Sequence, residues 1–346
     1  MTTPLVEDTS GLKSGQTLLE VDNLIMRYKT KQGYVSAVED VSFVLHKGEA
    51  LGLVGESGCG KTSIALSLLR LQADNGEIMG GSIKLGGKDL VPISEEEMRT
   101  HRWNDISMVF QGAMNSWNPV YRVGDQIKEA LDLHWPTRLS RAEVRERIGE
   151  LFALVGLPAD AQDRYPHEFS GGMRQRAVIA MALSCNPQVI IADEPTTALD
   201  VIVQDQILKE LKRIQDDLDM SIIYISHDIA VIAEVTDRMA VMYAGKMVEF
   251  GDTADIFSAP RHPYAWLLLS STPSIVGPRR QLAPLEGEPP NLLDPPTGCR
   301  FNPRCPFATD QCRVEEPPLA DIGGGHMVAC WNYEDVPVGI TAGGVA

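Results

Sequence analysis

Apolar and polar positions alternate from Leu18 to Tyr28 and again from Val35 to Leu45, and this period of two predicts a pair of antiparallel strands. Ala50, Leu51, Leu53 and Val54, with Gly52 in their midst, form an apolar run, and Ser63 to Leu69 follows with helical composition. Gly86-Gly87, set between Ile83–Leu85 and Leu90, predicts a hairpin turn. Ser94 and Glu97 have capping-box spacing and predict a short helix, and Asp105 to Phe110 reads as a strand ending at Gln111.

From about 112 to 170 the pattern turns helical. Ser140 and Glu143 make a second capping box, and Val144, Ile148, Leu151, Phe152 and Val155 follow at helical spacing until Gly156 and Pro158 stop the helix. The stretch reads as a helical subdomain inserted into an α/β chain. The α/β pattern then resumes with a helix from Met173 to Leu183, an apolar strand from Val189 to Ala192, a helix from Val201 to Leu218 and a strand from Ser221 to Ile225. Apolar strands alternating with helices predict a parallel sheet. Residues 17–257 thus read as one nucleotide-binding-type domain, 258–296 as a Pro-rich extension and 297–333 as a cysteine module. Pro273, Pro278, Pro284, Pro289, Pro290, Pro295 and Pro296 fit no regular element. Residues 1–16 read as a disordered lead-in and 334–346 as a loose tail.

Composition narrows the function. The 346 residues are 44% hydrophobic, enough for one large α/β domain and a smaller module. Forty-seven acidic against 31 basic residues, a net charge of −16, argue against a nucleic-acid groove as the main surface. The N-terminus lacks the apolar core of a signal peptide, and no apolar run reaches the roughly 18 residues of a membrane span. The expectation is a soluble cytoplasmic protein, unless a membrane subunit holds it. In a reducing compartment the six cysteines are not expected to form structural disulfides.

The chemistry begins between the first apolar run and its helix. Gly55-Glu56-Ser57-Gly58-Cys59-Gly60-Lys61-Thr62 fits the phosphate-loop pattern, in the strand–turn–helix context that pattern needs. Glycines let backbone N–H groups close on a polyphosphate, the helix start adds its own donors, Lys61 supplies a point charge, and Thr62 offers a hydroxyl to Mg²⁺. Val189-Ile190-Ile191-Ala192-Asp193-Glu194 ends an apolar strand in two carboxylates, with Asp193 placed for Mg²⁺ and Glu194 for an attacking water. Phe169-Ser170-Gly171-Gly172-Met173-Arg174-Gln175 is a second Gly turn opening a helix, hence a second anion site. One nucleotide does not need two such sites on one chain, whereas two chains packed head to tail do.

Phosphate loop, Gln111, Ser170-Gly171-Gly172, Asp193-Glu194, Thr196-Thr197-Ala198-Leu199-Asp200 and Ser226-His227-Asp228 occur in this order. The chain resembles the nucleotide-binding subunit of an ATP-binding-cassette (ABC) transporter. The resemblance implies an α/β P-loop ATPase core with an antiparallel β subdomain, the inserted helical subdomain and a small C-terminal cysteine module. It implies ATP binding along Gly55 to Ser63, with Tyr28 stacking on adenine. It places Gln111 as a sensor of Mg²⁺ and the attacking water, Asp200 at a dimer interface, and His227 on the γ-phosphate, positioning Glu194. The family signature ends in Gln, whereas position 173 is Met; Ser170 and Gly172 act by hydroxyl and backbone, which Met173 leaves in place. Phe169 to Arg176, with Arg261-His262-Pro263-Tyr264 and Leu267-Leu268-Leu269, resembles the D-type subunit of oligopeptide and dipeptide importers. That implies a second, non-identical ATPase subunit, two transmembrane permeases, an extracytoplasmic substrate-binding protein and a place on the cytoplasmic face of the membrane, with no nucleic-acid partner. Related importers carry oligosaccharides or metal complexes. A soluble ABC ATPase without a transporter is the reading of another class, favoured by fused cassettes or a coiled-coil arm, neither of which is present.

Cys299, Cys305, Cys312 and Cys330 have the spacing C-x5-C-x6-C-x17-C, with Pro306 after Cys305. Structural zinc sites usually carry close pairs, and the wide spacings with the Cys-Pro step lean towards a [4Fe–4S] cluster; zinc and free or paired thiols are the alternatives. The importer resemblance implies the cluster as well. Phe301, Phe307 and Trp331 are candidates to shield it, while His326 reads as a solvated loop histidine and Met173, Met181, Met239, Met242 and Met247 as core.

Overall fold

The structure, a computed structural model, describes residues 15–197, 199–271 and 287–337. The lead-in up to residue 14, Ala198, Pro273, Pro278, Pro284 and the tail from 338 lie outside the described residues. Along the chain come β1 (Thr17–Thr30), β2 (Gly33–His46), β3 (Ala50–Val54), α1 (Lys61–Leu68), β4 (Gly76–Leu85), β5 (Lys88–Asp89), α2 (Glu95–His101) and β6 (Ile106–Val109). Next are α3 (Val123–His134), α4 (Arg141–Leu154), α5 (Gly171–Ala182), β7 (Val189–Asp193), α6 (Val201–Leu218), β8 (Ser221–Ser226) and α7 (Ile229–Val235). The chain closes with β9 (Arg238–Tyr243), β10 (Lys246–Asp252), α8 (Thr253–Ser258), α9 (Pro263–Ser270), α10 (Asp310–Val314), β11 (Ala320–Asp321) and β12 (Met327–Val328). None of the described helices is long and apolar enough to cross a membrane.

The chain forms two compact units. Among the described residues, one takes in those up to Leu19, Leu45–Glu49 and those of Leu85–Tyr224; the other takes in Glu20–Val44, Ala50–Lys84 and those from Ile225 onward. In the first unit β8, β7 and β6 lie side by side, with β6 and β7 parallel in the register Ile106↔Val189. Every residue of β7 is buried, as a strand covered on both faces requires. Both expected caps form. The Ser94 hydroxyl accepts from Glu97 N–H, and Ser140 and Glu143 make a reciprocal capping box. Val144, Ile148, Leu151 and Phe152 form the buried stripe of α4, which packs against α3 and α5.

In the second unit β3 runs parallel to β9, from Leu51↔Arg238 to Val54↔Val241. The β9–β10 hairpin turns at Ala244-Gly245, both at positive φ, 50° and 84°. This is the backbone a two-residue hairpin turn demands. β12 then pairs antiparallel with β10 at Glu249↔Val328, and β11 with β12, so the C-terminal segment extends this sheet. A separate four-stranded sheet has the order β2-β1-β4-β5. Met239, Met242 and Met247 are core as expected; Met173 and Met181 are half-buried.

Candidate nucleotide site

The phosphate loop leaves the end of β3 and closes at α1. Gly55 (φ 150°) and Gly60 (φ 108°) are required here for a reason beyond approach to phosphate. A Cβ on Gly55 would stand 2.2 Å from the Met242 carbonyl, and one on Gly60 would stand 2.2 Å from that of Ala37. Gly58 faces open space. The loop is thus pressed from behind by β2 and the β9–β10 hairpin, and Gly245 N–H donates to the Cys59 carbonyl at 2.9 Å. Lys61 Nζ folds under the loop and donates to the carbonyls of Gly55 (2.7 Å) and Glu56 (3.0 Å). Burial pushes the Cys59 thiol above its ordinary pKa, against the pull of Lys61. Ser57 and Thr62 are exposed, as is His227. The Tyr28 hydroxyl lies 3.3 Å from Ser63 Oγ, which fixes the ring beside the start of α1.

Glu56 is the most heavily held residue of the loop. Its N–H donates to the Tyr264 hydroxyl at 2.8 Å. Its carbonyl accepts from Lys61 and from Cys59 N–H. Its carboxylate takes both arms of the Arg304 guanidinium, at 2.7 and 3.1 Å. None of Tyr264, Tyr243 and Arg304 was marked by the sequence as a loop contact, because no local pattern links positions so far apart.

In the other unit, Asp193 is 1% exposed at the end of β7. Glu194 turns the backbone at φ 47°, an uncommon conformation for a residue with a Cβ, and its side chain reaches the surface. Glu194 Oε2 accepts from Gln111 Nε2 at 2.7 Å and from Thr197 Oγ1 at 2.9 Å. The structure thus joins two residues selected from the sequence and adds Thr197. The Ser170 hydroxyl caps α5, accepting from Met173 N–H at 3.3 Å. A Cβ on Gly172 would meet Val203 of α6 at 2.8 Å, so this glycine is also a packing requirement. Asp200 caps α6 through Val203 N–H at 3.0 Å, and Val201 and Ile202 beside it are 79% and 72% exposed.

The four C-terminal cysteines are free thiols that line one small cavity together with Phe301 and Trp331. Burial, followed by the neighbouring thiols, raises the Cys305 and Cys330 pKa values; each is pushed up to about 12. Among the described residues no group of three or more His, Cys, Asp or Glu side chains is arranged to hold a metal ion. Phe307 is not part of this wall; it packs edge-on against Trp266 instead. His326 is not a solvated histidine. Its Nε2 meets Glu249 Oε1 at 2.7 Å, and Glu249, fully buried, also accepts from the N–H groups of Arg261 and His262. A buried carboxylate needs such partners, and these lie on α9's lead-in and the β11–β12 turn.

Residues 38–197 match the ABC transporter family, and residues 248–312 match the oligopeptide/dipeptide transporter C-terminal region. A dipeptide transport ATP-binding protein of Bacillus subtilis is 46% identical over 91% of this chain and 95% of its own length. The chain belongs to the ABC transporter ATP-binding subunits. An oligopeptide transport ATP-binding protein of Salmonella typhimurium is 45% identical over 94% of this chain and 96% of its own. A dimeric ATP-binding cassette in a post-hydrolysis state bound to ADP and Pi has the same fold, with a TM-score of 0.62 at 24% identity. That likeness covers 68% of this chain and 99% of the cassette. ABC ATP-binding subunits hydrolyse ATP, with Mg²⁺, to power transport, and the P-loop α/β fold of this chain is theirs.

Proposed function

We propose that this chain is the ATPase subunit of an importer of di- or oligopeptides. The observation that carries the reading is the C-terminal region, matched over 248–312 and packed on the phosphate loop through Arg304 and Tyr264. Gly55 to Ser63 bind the phosphates of ATP, with Lys61 as their counter-charge, and Tyr28 stacks on adenine. Thr62, Asp193 and Gln111 are the residues to hold Mg²⁺, which when bound offsets charge on the phosphates. Glu194 takes a proton from the attacking water, oriented by its bonds from Gln111 and Thr197. His227 contacts the γ-phosphate. Ser170, Gly171, Gly172 and Met173 serve the nucleotide of a partner chain, with Asp200 at that interface, and exposed Val201 and Ile202 support a partner there.

The partner is a second, non-identical ATPase subunit. Two permeases hold the pair at the cytoplasmic face of the membrane, and an extracytoplasmic binding protein delivers substrate. Phe110, Val120 and Tyr121, at 44%, 71% and 56% exposure around the segment after Gln111, support docking of a permease on that face. Cys299, Cys305, Cys312 and Cys330 would hold a [4Fe–4S] cluster as a structural group. A four-thiol donor set lining one small cavity is what supports this. Reconstitution of the chain with its second ATPase subunit, permeases and binding protein in vesicles tests the function. ATP-dependent uptake of a labelled di- or oligopeptide is expected. Uptake of an oligosaccharide or metal complex but of no peptide would overturn it.

A further inference from the structure

Glu56 places an acid inside a loop built to receive polyphosphate. Left free, its charge would repel the ligand it surrounds. The structure supplies a dedicated answer. Arg304 grips the carboxylate with two parallel bonds, at 2.7 and 3.1 Å, and its side chain is only 5% exposed against 26% for Glu56. The guanidinium also donates to the Tyr243 hydroxyl at 3.2 Å and lies 5.7 Å from the centre of that ring. Burial works against the Arg304 cation, and the bonds to Glu56 and Tyr243 more than offset it. Four residues back, Arg300 donates to the Ala244 carbonyl at the hairpin tip that backs the loop. Between the two arginines, Phe301 is buried edge-on against Tyr243 and Tyr264, with centroids at 5.0 and 5.5 Å, and Tyr264 receives Glu56 N–H. Cys305, next after Arg304, lines the cysteine cavity.

Resting on the nucleotide reading of the loop, we propose that Arg304 is a positioning residue for ATP. It acts through Glu56, neutralising and fixing that acid so that the loop accepts phosphates, and it ties the packing of the cysteine module to nucleotide affinity. A bidentate pair of this kind is the arrangement that holds a planar carboxylate in one orientation.

Titration of the full chain with Mg·ATP and Mg·ADP tests this on the native protein, Arg304→Gln, Arg304→Lys, Glu56→Gln, the Arg304→Gln/Glu56→Gln pair and Lys61→Ala. Arg304→Gln should weaken both nucleotides by about tenfold or more. In the assembled complex it should raise KM and leave kcat near native. Arg304→Lys keeps the charge but not the fork, and should fall between native and Arg304→Gln. The decisive arm is the pair: with Glu56 already neutral, loss of Arg304 should add less than about threefold. Equal loss with and without Glu56 would overturn the proposal, as would native affinity in Arg304→Gln and Arg304→Lys while Lys61→Ala loses binding. Native affinity in Lys61→Ala would instead overturn the nucleotide reading of the loop.

Discussion

Replacing Glu194 with glutamine isolates the proton-accepting step. Glu194 uses a single oxygen, Oε2, to accept from both Gln111 and Thr197. Glutamine has the same length and one carbonyl oxygen, so its Oε1 can take both bonds with its amide turned away from them. The two bonds from Gln111 and Thr197 should therefore survive, and what the change removes at the attacking water is basicity. A positioned general base is worth about 10²–10⁴ in rate, which corresponds to about 3–5 kcal/mol of barrier. The assay is phosphate release by the assembled transporter at saturating Mg·ATP, with nucleotide affinity measured alongside. Turnover should fall by that factor while affinity stays near native, because neither Gln111 nor Thr197 loses its partner. Turnover within about threefold of native would refute the assignment. A parallel fall in affinity would show that the carboxylate holds nucleotide instead.

The isolated chain should hydrolyse ATP slowly and accelerate when the second ATPase subunit and permeases are added, since Ser170 to Gly172 serve a partner's nucleotide; a lone chain as fast as the complex would contradict this. Protein purified without oxygen should be brown and carry about four irons and four sulfides per chain; Cys305→Ser should bleach it, and metal analysis finding no iron would discard the cluster. Glu249→Gln puts an amide donor against the N–H groups of Arg261 or His262, and should cost about 2–4 kcal/mol. Thermal unfolding of the full chain reads this, and an unchanged midpoint would remove Glu249 as a fastening point.

What the sequence made legible was local. β7 and α6 could be bounded from apolar period alone, and the two Ser-x-x-Glu caps sit where their spacing placed them. The phosphate loop was legible because its chemistry needs contiguous residues. The β9–β10 hairpin had no such signal. Ala244-Gly245 is not one of the usual turn pairs, yet Ala244 takes the positive φ that the two-residue turn requires, with Arg300 and β2 bonded to the tip. α9 falls in the Pro-rich extension, where the pattern predicts no element, although Pro263 at its first turn is a position where proline starts a helix. His326 read as solvated because nothing near it in sequence announces Glu249. The Arg304–Glu56 pair joins positions 248 apart. Ion pairs across such distances follow from tertiary packing, and one sequence carries no record of it.

The pairing of β12 with β10 has a further consequence for solubility. β10 is a run of buried residues, Met247 to Gly251, and without a neighbour it would offer a row of unpaired N–H and C=O groups on an apolar ribbon. β12 takes that side, and the new border is β11, two exposed residues, Ala320 and Asp321, one of them charged. Two residues give another chain almost nothing to pair with. A chain shortened ahead of residue 297 would keep every phosphate-loop residue and still expose the β10 border. It should therefore be lost first to strand-to-strand association. Poor recovery of such a chain, or of cysteine variants that loosen 297–333, would report on an uncovered sheet edge before it reported on ATP chemistry.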